Sequence, residues 1–346
     1  MSDFRIDKIA NRDGSAGAQI CGVSTFSGTS GMQLPVGATE YRGGRGRVVI
    51  TGGFSPTLQT SMDMFEIATT GNAVNFGNMT RDNAQSAMVA SSTRGVIGGY
   101  RTNTPSNDST TDDMKYFTFS SGGGVSDFGD MTVSYKNRQG SGNSVRGLFY
   151  GGSVPQSKTV IDYITIATAG NSSDFGDTAA NYGQGPGDAG RTNVASPTRG
   201  VFCHDAPGTN NTLEFVTIAT RGNGVKFGEL RSGRMGETSG SSNTTRGVFA
   251  GGYNSPTTID DITYITIASE GNGVDFGNLV NKGNQAASAA SSTRMVIMGI
   301  AAPAGGIGNT IQYITISTTG NGTDFGDLTV NRAQAGANSD VHGGLG

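Results

Sequence analysis

The chain of 346 residues has no tryptophan, two cysteines, two histidines and nine prolines, and only 15% of its residues are charged. Each shortage excludes something. Cys21 and Cys203 are far apart in sequence; they make no disulfide framework and no metal motif, and they suit a chain made in a reducing cytosol. His204 and His342 have no histidine, cysteine or paired carboxylate at ligand spacing, so metal catalysis and a serine triad lack their parts. Cys203-His204 reads as a local substitution in a repeat, not as a catalytic dyad. With 24 basic and 27 acidic residues the formal net charge is −3, and no basic cluster forms, so nucleic acid is not an expected partner. No apolar run approaches the ~20 residues that span a bilayer, so membrane insertion is not expected. The opening MSDFRIDKIANRDG is polar and charged, without the apolar stretch of a secretory signal.

What the chain has in abundance is glycine, 57 residues, about twice the usual share of roughly 7%. Without a three-residue period, this excess points to tight turns and small-side-chain packing rather than collagen. The chain also repeats itself six times. A Phe-Gly pair recurs at Phe76, Phe128, Phe175, Phe227, Phe276 and Phe325, at intervals of 47 to 52 residues. An arginine opens each unit: Arg47, Arg94, Arg146, Arg199, Arg246 and Arg294. A period near 50 residues implies a propeller or a solenoid, because one such unit cannot bury its apolar face alone.

The unit from Arg246 to Thr293 shows the plan. RGVFAGG (246–252) is a short strand closed by a Gly pair. DITYITIAS (261–269) is a strong strand with apolar groups on both faces, as expected where sheets stack on either side. Gly271-Asn272-Gly273 predicts a hairpin turn, since Asn and Gly tolerate positive φ. VDFGNL (274–279) is the outermost strand; its Phe276 is expected to wedge between sheets, and Gly277 to admit a neighbouring backbone. AASAASS (286–292) is a run of small residues, suited to the crowded innermost strand of a radial array. No amphipathic helix is visible.

The first unit has no small-residue strand before Arg47. The chain ends on such a run at Ala333–Ser339 with no unit after it. The economical arrangement is all-β: a six-bladed β-propeller of four-stranded antiparallel blades, closed by the C-terminal strand. Residues 47–346 form the propeller. Residues 1–46, rich in Gly, Ser and Thr, are expected to form an extended N-terminal arm that orders against a partner.

The Gly-Gly doublet after an apolar strand, the aromatic strand and the repeated arginine resemble kelch-type propeller repeats. Only the Gly pair, strand order and length agree, and Phe of Phe-Gly stands where the kelch tryptophan is expected. The units TRGVFAGGY, YITIAT, GN and DFGDL, behind the leader 7–46, resemble structural proteins of marine tailed phages, particularly those infecting cyanobacteria. That resemblance implies a virion component, a tail fibre or a tail-associated or capsid-surface appendage, made in the host cytoplasm. It implies attachment to other virion proteins through the N-terminal arm.

Candidate chemistry is weighed against this plan. Asp-Phe-Gly at 127–129, 174–176, 275–277 and 324–326 follows the structural beat and reads as a packing motif, not a magnesium site. Gly185–Gly190 spells a dinucleotide fingerprint without a strand before it or a helix after it. The acids of Asp108–Asp113 lack calcium-loop spacing. Arg94, Arg146, Arg199, Arg246 and Arg294 read as donors to carbonyls of a neighbouring blade rather than a ring of anion ligands. The copper ligands of a galactose-oxidase-like propeller are missing. No cofactor, no metal and no enzymatic activity are therefore expected. The variable connections between second and third strands, 54–62, 100–112, 153–160, 205–212, 253–259 and 301–310, are the candidate recognition loops. Tyr100, Asp108, Asp112 and Tyr253 are their candidate contacts. The expected function is a non-enzymatic virion structural protein; the alternative is a receptor-binding module for a host-surface glycan or protein. Self-association on the particle is left open.

Overall fold

The computed structural model describes residues 46–103, 109–152, 159–179, 191–192, 194–203, 211–231, 237–254, 256–302 and 306–341. The N-terminal arm, Cys21, Asp108, Gly185–Gly190, His204 and His342 lie outside the described residues. Every regular element among those described is a strand.

All but three short strands form six antiparallel four-stranded blades, and Arg101–Thr102 and Ser109–Thr110 make a separate two-stranded hairpin. Blade five shows the pattern, from the inside out: Ser239–Ser242, Arg246–Asn254, Thr257–Thr266 and Val274–Asn278. The innermost strands contact one another in sequence around an axis, and the last touches the first, which makes a closed ring. They are buried throughout. Their residues are mostly Ala, Ser and Gly, because six strands meeting at one axis leave no room for larger groups. Blade four uses a shorter inner strand, Val194–Ala195. The residues before it, Arg191–Thr192, run parallel to the inner strand of blade five.

Closure is as the sequence predicts. Gly336–Ser339 pairs antiparallel with Arg47–Thr51, placing Ser339 opposite Val48 and Gly336 opposite Thr51. The last segment of the chain thus supplies the inner strand of the first blade, and no sheet edge is left open at the axis.

The core is not one cluster but six, one per blade junction. Phe276 packs with Val248 and Ile262 of its own blade and with Ala290, Met295 and Ile297 of blade six. Phe325 does the same between blades six and one, beside Val48 and Ile50. The Phe-Gly pair is a β-bulge: Ile262 stands opposite Gly277 and Thr263 opposite Asp275, so Phe276 is the extra residue. The same shift recurs in every blade. A bulge turns one side chain away from its place in the alternation, and here it sends the ring into the junction. Phe76, Phe128, Phe175, Phe227, Phe276 and Phe325 are all buried, each against the next blade.

Two local expectations are corrected. The third strands start and stop earlier than predicted: Thr257–Thr266 rather than 261–269, and Gln59–Glu66 rather than 63–70. Ile267 is still buried, but its amide has left the ladder and donates to the Thr245 carbonyl. Its apolar character reports burial in the junction, not strand pairing. The turn asparagines are also not there for left-handed backbone, since Asn72, Asn171, Asn223, Asn272 and Asn321 all lack positive φ. Their Oδ1 atoms instead accept amides from the outer strand of the preceding blade, as Asn272 does from Glu229 at 3.1 Å and Asn321 from Asn278 at 3.0 Å.

Candidate functional site

Strands alternate in direction, so each blade presents its first-to-second and third-to-fourth turns at one face. Its second-to-third connections, and the links to the next blade, open at the other. The first face is built from the repeated residues. The second carries the connections that differ in length and sequence.

At the first face, each repeated arginine bridges two blades. Arg94 Nη1 donates to the carbonyls of Ile166 and Ala167 at 3.1 and 3.0 Å. Arg146 reaches Ile218 and Ala219, Arg199 reaches Ile267 and Ala268, and Arg246 reaches Ile316. Arg294 closes the set on Ile67 and Ala68 of blade one. Each of these guanidinium groups also lies over a ring of its own blade, at 4.2 to 4.7 Å: Tyr116, Tyr163, Phe215, Tyr264 and Tyr313. Arg47 departs from the pattern, because Met64 replaces the ring; it donates to the Phe119 carbonyl and pairs with Glu66 at 3.4 Å. The arginines are thus engaged in joining blades.

At the rim, the turn of each blade covers the edge of the blade before it. Gly320 donates its amide to the Phe276 carbonyl at 2.8 Å, and Gly322 to Asn278 at 2.8 Å. The approach is so close that a Cβ on Gly277 would stand 2.4 Å from the Gly320 carbonyl oxygen. That contact, together with its φ of +147°, accounts for the glycine of Phe-Gly. The acids of Asp-Phe-Gly sit on the solvent side of these edge strands, where charge discourages pairing with another chain. Asp127 pairs with Lys115 at 2.9 Å, and that hydrogen bond holds its carboxyl below the usual range.

The second face holds the sequence-predicted recognition residues, and the structure separates them. Tyr100 is a core residue, packed with Phe76, Met79 and Phe117. Its hydroxyl donates to Asp113 at 3.0 Å, and burial, reinforced by that carboxylate, pushes its pKa well up. It is not placed to stack on a ligand. Asp113 is held by Lys115 as well, at 2.6 Å. Asp112 is exposed. Tyr253 is half-buried near the outer end of a long hairpin, opposite Thr258. Tyr253 and Asp112 therefore lie on different blades, five and two. No group of three histidine, cysteine or acidic residues that could hold a metal occurs among the described residues. Cys203 is buried in the core of blade four. A groove of about 420 Å³ opens on this face at blade six, floored by Ile300 and flanked by Val280, Lys282 and Thr310.

Sequence reasoning missed two buried ion pairs just inside the second face. Arg138 pairs with Asp162, and Arg332 with Asp63 at 3.1 Å, all four side chains being fully buried. Arg332 also donates to the carbonyls of Gly52 and Ser61 at 3.1 and 2.9 Å. Arg138 donates to those of Phe149 and Val160, both at 3.0 Å. Each arginine ties the link into an inner strand to the second-to-third connection of the same blade. Burial lowers the Arg332 pKa, with Asp63 opposing. The available signal was an Asn-Arg pair shortly before the inner strand (137–138 and 331–332), matched by Asp at the same position of the third strand.

A second missed feature closes the axis. Gln85, Asn137, Glu237, Gln285 and Gln334 occupy equivalent positions before their inner strands, all with φ between 57° and 60°. The Gln85 amide donates to the Gln334 carbonyl, Asn137 to Gln85, Gln285 to Glu237, and Gln334 to Gln285. The result is a girdle of main-chain hydrogen bonds running head to tail from blade to blade. Gly190, nine residues before Arg199 as Gln85 is before Arg94, has the equivalent place in the sequence and lies outside the described residues. Left-handed backbone is costly for Gln and Glu. Here the cost is met by hydrogen-bonding polar groups that would otherwise be stranded near the axis.

No protein-family model matches the chain, and no curated protein matches it. The fold and the repeat are therefore the basis on which function is argued. A β-propeller of this kind fits a binding or structural module. No helix among the described residues is long and apolar enough to cross a membrane.

Proposed function

We propose that the protein is a non-enzymatic structural component of a phage particle, which displays its propeller on the particle surface and uses the variable face for contact. One observation carries the display-and-contact part. The side chains repeated from blade to blade are spent on blade–blade contacts, while sequence variation collects on the other face, where the groove beside Lys282 opens. A rigid ring with one variable face is the usual physical arrangement for recognition. The phage part rests on the resemblance of the repeat units and leader to marine phage structural proteins. Other virion proteins are the proposed partners, through residues 1–46. Nucleic acid and membrane insertion have no part in this reading.

The test separates the two halves of the proposal. Deleting residues 1–40 should leave a folded propeller that no longer enters particles; full occupancy on purified particles would overturn attachment through the arm. Replacing residues 103–110, which leaves Tyr100 in the core, should spare assembly and weaken binding to purified host envelope. Unchanged binding would remove host contact from this loop. Turnover of a host glycan by the purified protein would overturn the non-enzymatic reading.

A further inference from the structure

The inner strands leave a small space on the axis, directly beneath the girdle. Five of the six blades border it, through Ser86, Gly140, Thr192, Ser288 and Gly336, and its volume is about 10 Å³. Three polar atoms of its lining lack a hydrogen-bond partner within the protein: the hydroxyls of Ser86 and Ser288, and Arg138 Nε. The two hydroxyls, in blades two and six, are buried. Thr192 is engaged with Gln139. The strands approach so closely that a Cβ on Gly336 would stand 2.6 Å from Ser86 Oγ. Glycine at 336 therefore keeps open the room in which that hydroxyl sits.

We propose that this space is a specific binding site for a single water molecule, bridging Ser86 and Ser288 across the axis. Size and chemistry both select water. A water needs roughly 10–15 Å³ of such space and two to four polar partners. A buried hydroxyl left unpaired is costly, and two at one site double the incentive. A cation is disfavoured, because no carboxylate borders the space. The one charged residue there, Arg138, is already paired with Asp162. An organic ligand is too large. The water joins blades that share no strand pairing, at the point where the ring has least side-chain volume to fill it.

The experiment compares the full chain with the Ser86→Ala/Ser288→Ala double variant. Oxygen-17 magnetic relaxation dispersion should show one fewer long-lived internal water in the variant. A crystal structure of the unaltered protein at better than about 1.5 Å should place a solvent atom within hydrogen-bond distance of both hydroxyls. Thermal melting gives an independent reading. If the site holds water, the double variant melts at or below the temperature of the parent. A dry site predicts a higher melting temperature for the variant, since two unpaired hydroxyls are removed, and that result would overturn the proposal. An unchanged count of internal waters would overturn it too, as would a density peak that is replaced by rubidium or thallium ions.

Discussion

Arg294 of the last blade donates to the carbonyl of Ala68 in the first, at 2.9 Å and across 226 residues of sequence. The same guanidinium reaches Ile67 and lies 4.7 Å from the centre of the Tyr313 ring. This clasp joins the ends of the ring on one face, as the C-terminal strand does at the axis. Arg294→Ala should cost about 1–3 kcal/mol, for lost charge-assisted hydrogen bonds and the ring contact, in a urea titration. Arg294→Lys should recover less than half, because Nη1 alone donates to both carbonyls while the flat guanidinium lies over the Tyr313 ring, and a compact ammonium loses that stacking. Full recovery by lysine would mean that charge alone matters.

Truncation after Leu328 removes the inner strand of blade one and also Arg332. Arg47–Thr51 becomes an open edge, and Asp63 is left buried without its cation. Breaking a buried pair from one side costs about 3–5 kcal/mol on its own. The truncated chain is expected to lose its cooperative melt, and Arg332→Met in the full chain to show the ion-pair part of that loss. A truncated protein that melts like the full chain would show that the ring is not closed by this strand.

One rim contact is missing, and it can be supplied. Where five turns carry asparagine, the turn of blade two has Gly124. A Cβ there would meet nothing nearer than the Asn78 carbonyl oxygen at 3.6 Å, and Gly124 has no left-handed φ. Gly124→Asn should therefore let Oδ1 accept the Asn78 amide, as Asn321 accepts that of Asn278. The expected gain is about 0.5–1.5 kcal/mol, helped by reduced freedom of the unfolded chain. A loss of stability by chemical denaturation would refute the equivalence of the six turns.

Two buried tyrosines set an alkaline limit. Burial, aided by Asp113, raises the Tyr100 pKa; burial, against the Ser141 hydroxyl, raises that of Tyr150. A raised folded pKa means that the neutral phenol is the stabilising form. The contribution is complete below the unfolded value of about 10 and declines as pH rises above it. The Tyr100→Phe/Tyr150→Phe variant should lose less of its pH 8 stability at pH 11 than the parent. Equal losses, read as shifts in melting temperature, would show that these phenols are not responsible.

The repeat, the strand order, the small inner strands, the wedge role of Phe276 and the closure by the last strand were all legible in the amino-acid order. All of these are local signals, and six copies of each raise them above chance. The structure alone decided which side chains face a neighbouring blade, because that depends on the tilt of the sheets and on a ring that closes over some 290 residues between Val49 and Asn338. Asn272 reads locally as a turn former, yet its partner is Glu229, 43 residues away. Tyr100 reads as a loop residue at the end of a strand and is core, because it packs with Phe76 and Met79 at the junction of blades one and two. The Arg138–Asp162 and Arg332–Asp63 pairs and the left-handed girdle at Gln85, Gln285 and Gln334 are likewise products of convergence on one axis. Packing six sheets about a line leaves buried polar backbone and little volume, and only the assembled ring shows which groups satisfy one another there.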